Sequence, residues 1–324
     1  MNPQEPTGTD RNPQMFRSLK LDDSERFHIE PIVNRPTWDL YEHALACVWT
    51  PNDLAWGDDR ADYDTLPEEE QELLKHTMAF FAFADHVVAE AVGEFRIPCM
   101  EVKFFHDLQV MMENVHHSVY AQSITEIMPG DLEPMLERVR SHPSLLAKRA
   151  FLEALNDSQR PSPQQDLAKR LLVWACMEGI AFAGAFAVVF FFKDKGKLPG
   201  LAAANQYIAR DEALHKNFAV HLLNDLASPL PQQCVHDTVR AFVEQEKMYY
   251  AAHKDVLDIG AYAEFVGNAL LLDLGEDPIF DTRECPLPFM ATITLRHEAN
   301  FFEVLPTDYE ETSGGVQWGD IGAL

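Results

Sequence analysis

Residues 112–120 read MENVHHSVY, a carboxylate, two imidazoles and a phenol within an otherwise apolar run. In a helix, Glu113 and His116 leave the same face about 60° apart in azimuth and nearly one turn apart in height. Two ligands converging on one ion need that geometry. Tyr120 follows His116 by four residues, about 6 Å further along the axis and about 40° round. A second Glu-x-x-His, in RDEALH at 210–215, supplies Glu212 and His215. One such pair is weak evidence, because Glu and His are ordinary surface residues. Two of them inside apolar helices point to a common purpose.

A dinuclear carboxylate site in a four-helix bundle needs a Glu-x-x-His from each of two helices and one carboxylate from each of the other two. The chain offers Asp85, in AFFAFADHVVAEAV, and Glu178, in VWACMEGIAFAGAFAVVFFF, each an acid among apolar residues. A buried carboxylate without a partner is costly, so four such oddities on four long helices are most economically explained by two shared cations. Four carboxylates and two imidazoles suit iron or manganese better than zinc, and leave coordination positions for dioxygen or water. Glu90, His86 and His117 rank lower; His117 and His86 each sit about 100° off the face of the neighbouring ligand candidate. Asp211, next to Glu212, is placed to accept the free ring N–H of a ligand histidine. Phe182, Phe186 and Ile208, at helical spacing from Glu178 and Glu212, are candidates to line an apolar, water-poor pocket around Tyr120.

The rest of the chain fits one all-α domain. Its 324 residues are 47% hydrophobic and include 21 Phe, enough for a sizeable core. A formal charge of −26 argues against a nucleic-acid partner and an anionic membrane surface. The five cysteines are scattered without a CxxC, as expected of reduced thiols in a cytoplasmic protein. No Gly-rich phosphate loop is present. Helical periodicity predicts helices near 37–48, 67–95, 101–128, 131–140, 144–156, 163–193, 200–226, 231–258 and 260–275. Leu171 to Phe192 contains one charge, Glu178, and is long enough to span a bilayer. The expectation is instead a central helix surrounded by others, since a membrane carboxylate needs a partner. Residues 1–30 are expected to be a disordered N-terminal segment, 31–300 the helical domain, and 301–324 a flexible tail.

The set FFAFAD, MENVHHSVY, MEGIAFAGAFAVVFFFKDKGKLPGL and IARDEALH resembles the small, radical-generating subunit of class I ribonucleotide reductase, particularly its eukaryotic-type members. The similarity runs from about residue 37 to about residue 312. It implies a ferritin-like helical bundle with a dinuclear metal site in its four-helix core. Asp85, Glu113 and His116 would bind one metal and Glu178, Glu212 and His215 the other, with Glu113 and Glu212 as bridges. The metals would be two irons, with Mn/Mn or Mn/Fe as alternatives, and dioxygen the activating oxidant. Tyr120 falls where the family keeps its stable tyrosyl radical, with Phe182, Phe186 and Ile208 as its apolar pocket. CVWTPNDLAW resembles the segment bearing the electron-transfer tryptophan, here Trp49, linked through Asp211 to His116. NFFEVLPTDYEE resembles the start of the family's tail and places its tyrosine at Tyr309.

A homodimer is implied, with the large catalytic subunit as partner through the C-terminal tail. Two departures bear on this. The loop EFRIPCM is shorter than in eukaryotic relatives, and the tail ends QWGDIGAL rather than in an acidic-aromatic terminus, leaving Trp318 and Leu324 as apolar anchors. The rivals are a ferritin-like oxidase acting without a large subunit, which would not need Trp49, Asp211 and Tyr309 together, and an iron store, which would need a shorter bundle.

Overall fold

A computed structural model of the chain describes residues 15–22, 26–93, 97–128, 130, 132–156 and 163–290. Among these the architecture is all-α, with a single isolated β-bridge between Phe16 and Leu226. The helices are α1 (Arg35–Ala46), α2 (Asp59–Asp64), α3 (Glu68–Gly93), α4 (Met100–Ile127), α5 (Leu132–Ser141), α6 (Pro143–Asn156), α7 (Pro163–Cys176), α8 (Ala183–Asp194), α9 (Pro199–Asn224), α10 (Gln232–Tyr250) and α11 (Ile259–Asp273). A π-helical turn, Met177–Ala181, joins α7 to α8.

The central bundle is made of α3, α4, the α7–π–α8 rod and α9. The two long helices α3 and α4 pack together, α7 and α8 pack on α9, and α8 also touches α3. Outside this bundle, α1 and α2 lie on α4 and α9, α5 and α6 lie on α3, and α10 and α11 pair over the π turn. The stretch Leu167–Asp194 is apolar and long enough to cross a membrane, yet 83% of its most apolar window is buried in the protein. It is the central rod of the bundle, apolar on all sides because other helices cover all sides.

Local chemistry sets the helix ends. Glu68, Glu69 and Glu70 occupy the first turn of α3, where the helix dipole favours acids. Pro143 opens α6 and Pro199 opens α9, positions whose missing N–H costs nothing. The start of α9 is also held from outside. Asp59 of α2, fully buried, accepts from the backbone N–H of Gly200 at 2.9 Å and of Leu201 at 2.7 Å. Gly200 is needed for this approach, because a Cβ there would come within 2.6 Å of the Ala55 carbonyl oxygen. The helix carrying Asp211, Glu212 and His215 is thereby fixed in register.

Three expectations change. The predicted helix over 163–193 is two helices with a π turn between them, because the chain widens by one residue per turn around Glu178 and Gly179. The helix predicted over 231–258 ends at Tyr250, with a short 3-10 turn, Ala251–His253, after it. The disordered N-terminal segment expected over 1–30 does not extend to residues 15–22. Phe16 is buried, Arg17 N–H donates to the Asp225 carbonyl oxygen at 2.6 Å, and Ala227 N–H donates to that of Met15 at 3.0 Å. Further on, buried Glu101 of α4 accepts from Arg26 at 2.8 Å and from the Val33 N–H at 2.9 Å, tying 26–34 to the bundle. Burial alone would raise this carboxyl, but Arg26 and the backbone donors hold it well below the usual carboxylate range. Buried Phe16 and Leu19, the Arg26–Glu101 pair and backbone hydrogen bonds to Asp225 and Asn34 fasten a segment whose composition reads as loop.

Candidate metal centre

Glu113, His116 and Tyr120 share the inward face of α4. All three are buried, whereas His117 is exposed. From α9 come Glu212 and His215, and from the π turn Glu178, all buried. Glu113, Glu178, Glu212 and His215 bring one ligand atom each within 4.8 Å of one another. His116 joins them through Nδ1, 3.1 Å from Glu212 Oε1 and 3.5 Å from Glu113 Oε2. His215 Nδ1 lies 2.9 Å from Glu212 Oε2 and 3.1 Å from Glu113 Oε1. Glu113 and Glu212 thus each turn one oxygen toward each imidazole, the disposition of a bridging carboxylate. Asp85 lies on α3, but its side chain, like those of His86 and Glu90, falls outside the described residues.

The donor set fits metal ions on a further observation. Both oxygens of Glu113, Glu178 Oε2, Glu212 Oε1 and His116 Nδ1 are buried without an aligned hydrogen-bond partner. Several lie within ion-pair distance of a ligand candidate on the facing helix, and Glu113, Glu178 and Glu212, with His215, each place one atom within 4.8 Å of the others. Such orphans are rare in a folded interior unless something else satisfies them. The electrostatics agree. Burial, and then the charges of Glu212 and Glu113, push the Glu178 carboxyl well above its ordinary range. Burial also opposes charging of Glu212 and of both histidines, but their mutual contacts win, holding Glu212 low and raising His116 and His215. Crowded carboxylates in a low dielectric need cationic compensation.

Each flank of the cluster has its own support. On the α4 side, His116 Nε2 donates to Asp211 Oδ2 at 3.0 Å, and Trp49 Nε1 donates to the same oxygen at 2.7 Å. Asp211 therefore joins Trp49 to His116 by hydrogen bonds. Arg210 pins the other oxygen, Oδ1, at 3.2 Å. On the π-turn side, Glu178 Oε1 accepts from Gln109 Nε2 at 2.7 Å and from Trp174 Nε1 at 2.9 Å.

Tyr120 is 1% exposed. Its ring stacks on Phe81, with centroids 4.0 Å apart and planes at 8°, and its hydroxyl donates to Asn205 Oδ1 at 3.1 Å. Phe182 and Phe186 are buried with centroids 6.4 and 5.9 Å from that of Phe81, and Ile208 is fully buried on α9. Sequence reasoning missed Phe81, Asn205, Gln109, Trp174 and Tyr207, the last stacked on Trp49 at 5.1 Å. Four of the five have a helical-spacing signal: Phe81 is four before Asp85, Trp174 four before Glu178, Tyr207 four before Asp211, and Gln109 four before Glu113. Tyr309, Trp318 and Leu324 lie outside the described residues.

A family profile described as ribonucleotide reductase, small chain, matches residues 26–286. The chain belongs to that family. The small chain of ribonucleoside-diphosphate reductase from Trypanosoma brucei brucei is 32% identical over 90% of this chain and 89% of its own length. The small subunit from Plasmodium falciparum is 32% identical over 94% and 97%. Among solved structures, the ribonucleotide reductase Rnr4 homodimer of Saccharomyces cerevisiae superposes with a TM-score of 0.74 at 26% identity, covering 86% of this chain and 91% of that one. The dimanganese(II) NrdF of Streptococcus sanguinis, 15% identical, shares the fold at a TM-score of 0.73, over 84% and 99%. Family membership assigns the chain to an oxidoreductase, ribonucleoside-diphosphate reductase, as its small subunit with a ferritin-like fold.

Proposed function

We propose that the chain holds two metal ions and uses them to place a radical on Tyr120, from which the oxidising equivalent passes to a separate large subunit that reduces ribonucleotides. Asp85, Glu113 and His116 would hold one ion and Glu178, Glu212 and His215 the other, with Glu113 and Glu212 shared. Iron at both positions is the favoured filling; Mn/Mn and Mn/Fe suit the same ligands. When bound, the metal pair supplies activation of dioxygen to an oxidant strong enough to take an electron from a phenol.

The protein's own residues do the rest. Phe81, Phe182, Phe186 and Ile208 keep water from the phenol, which slows quenching of an oxidised ring. Asp211 fixes the His116 tautomer, with Nε2 protonated and Nδ1 turned to the carboxylates. The same Asp211 oxygen can receive the indole proton as Trp49 gives up an electron. The route we propose runs between the buried centre and the surface through His116, Asp211 and Trp49 to Tyr309 of the tail. That tail docks on the large subunit, with Trp318 and Leu324 as apolar anchors. The working form is a cytoplasmic homodimer.

One observation carries this reading: a single carboxylate oxygen, Asp211 Oδ2, accepts from both the ligand histidine and the indole. An oxidase that works alone, or an iron store, has no use for that relay. The test is to load metal-free chain with Fe(II), admit oxygen and record the electron paramagnetic resonance spectrum. A tyrosyl doublet that disappears in Tyr120→Phe is expected. Normal ribonucleotide reduction by Tyr120→Phe together with its large subunit would remove Tyr120 from the mechanism.

A further inference from the structure

Asn205 lies on α9, seven residues before Glu212, fully buried among Leu201, Ala202, Ala204 and Ile208 of its own helix. A polar side chain on such a face costs stability unless its groups are satisfied. Its Nδ2 donates to the Leu201 carbonyl oxygen at 2.9 Å. A carbonyl oxygen only accepts, so this contact decides which way the amide faces and leaves Oδ1 toward Tyr120. The phenol then donates to Oδ1 at 3.1 Å. An amide oxygen accepts a hydrogen bond but is no base at ordinary pH. Asn205 orients the phenol proton and does not take it.

Oxidation changes what Tyr120 can offer. In the radical reading the phenol would give up one electron and its hydroxyl proton to the oxidant that the bound metals supply; the O–H bond breaks, and a neutral phenoxyl remains whose oxygen can only accept. Two acceptors then face each other in a buried site, where an unmade hydrogen bond is costly. Asn205 carries donors as well as an acceptor, and its terminal torsion is broad and roughly two-fold. Turning the amide brings Nδ2 to the phenoxyl oxygen. The bond given up is the one to Leu201, whose carbonyl, four residues back, is also the ordinary helical acceptor for the Asn205 backbone N–H. The turn strands no backbone carbonyl, but it brings Asn205 Oδ1 toward the Leu201 oxygen, a cost that the new bond to the phenoxyl has to exceed.

We propose that Asn205 is a positioning residue for Tyr120 that exchanges roles with redox state, accepting from the phenol and donating to the radical. This rests on the radical reading above. The test uses full-length chain carrying nitrogen-15 in its asparagine side chains, loaded with Fe(II), exposed to oxygen and examined by electron–nuclear double resonance in H2O and D2O. The tyrosyl radical is expected to show couplings to an exchangeable proton and to an asparagine nitrogen-15. Both should vanish in Asn205→Leu while the tyrosyl doublet itself persists. A wild-type radical without the nitrogen coupling overturns the proposal, as does the same coupling in Asn205→Leu.

A metal-free measurement separates this from the radical reading. In thermal unfolding of the apo-chain, Asn205→Leu combined with Tyr120→Phe should lower Tm by less than the sum of the two single losses. Strict additivity removes the contact and with it the proposal. If the cycle shows coupling but the wild type forms no radical, the radical reading fails, and the redox role of Asn205 with it.

Discussion

The two flanks of the metal centre each contain a tryptophan, and they use it differently. On the α4 flank, Trp49 reaches His116 through Asp211, an ionisable intermediary held by Arg210. On the π-turn flank, Trp174 donates straight to Glu178 beside the neutral amide of Gln109. The first arrangement joins groups that can exchange a proton as an electron moves. The second holds one carboxylate oxygen with neutral donors and leaves the other, Oε2, unpartnered. A carboxylate so held would be able to change how it meets a bound cation while keeping both neutral donors. In the function proposed above, the first flank serves relay and the second adjustment.

The largest effect that would break this comparison is expected at Asp211. Asp211→Ala should lower ribonucleotide reduction by about 100-fold, at the strong end of losses from a residue that supports a metal ligand. The radical on Tyr120 should still form, because neither the phenol nor Asn205 touches Asp211 in the contacts described above. Turnover with the large subunit, measured beside the radical yield, checks both halves of the statement. Equal loss of radical and turnover would make Asp211 a general support of the centre and erase the distinction between flanks.

Trp174→Phe should have a smaller and different effect. It removes one of two donors to Glu178 and leaves Gln109 in place, so metal affinity should fall by about 10-fold. Competitive titration with a metal-binding dye reads this directly. Once the variant is saturated with metal, its turnover should match wild type. A turnover defect at saturation would show Trp174 acting as an electron carrier like Trp49, and the two flanks would then be alike.

Much of this centre is legible in the sequence because its chemistry has a period. Glu-x-x-His twice, on α4 and α9, needs only the 3.6-residue repeat to be placed on one face of each helix, and Glu178 stands out as a lone acid in an apolar run. Legibility stops where contacts depend on a neighbouring helix. Asn205 reads as an ordinary helix residue until α4 is laid beside α9. Phe81 belongs to the Tyr120 pocket only because α3 packs on α4. The π turn at Glu178 leaves no mark in an apolar run, since a widened turn and a regular one bury the same residue types. The six-residue α2 is too short and too acidic to show a hydrophobic period, yet it anchors α9 through Asp59.

That anchor gives the smallest expected effect, and it serves as a control for the other two. Asp59→Ala removes both acceptors from the first free amides of α9. Loss of such a cap costs about 0.5–2 kcal/mol. The lower part of that range is expected here, because burial pushes the Asp59 carboxyl above its usual value despite the two backbone bonds, so the ionised side chain already carries a desolvation cost. A loss of about 1 kcal/mol in chemical denaturation is the expected result. Both flanks hang from α9: Asp211 and Glu212 on one side, His215 facing Glu178 on the other. Loosening the helix at its start should therefore weaken metal binding and relay together and by similar factors. A selective effect on one flank would mean that α9 does not move as one body, and that the division between relay and adjustment begins inside that helix.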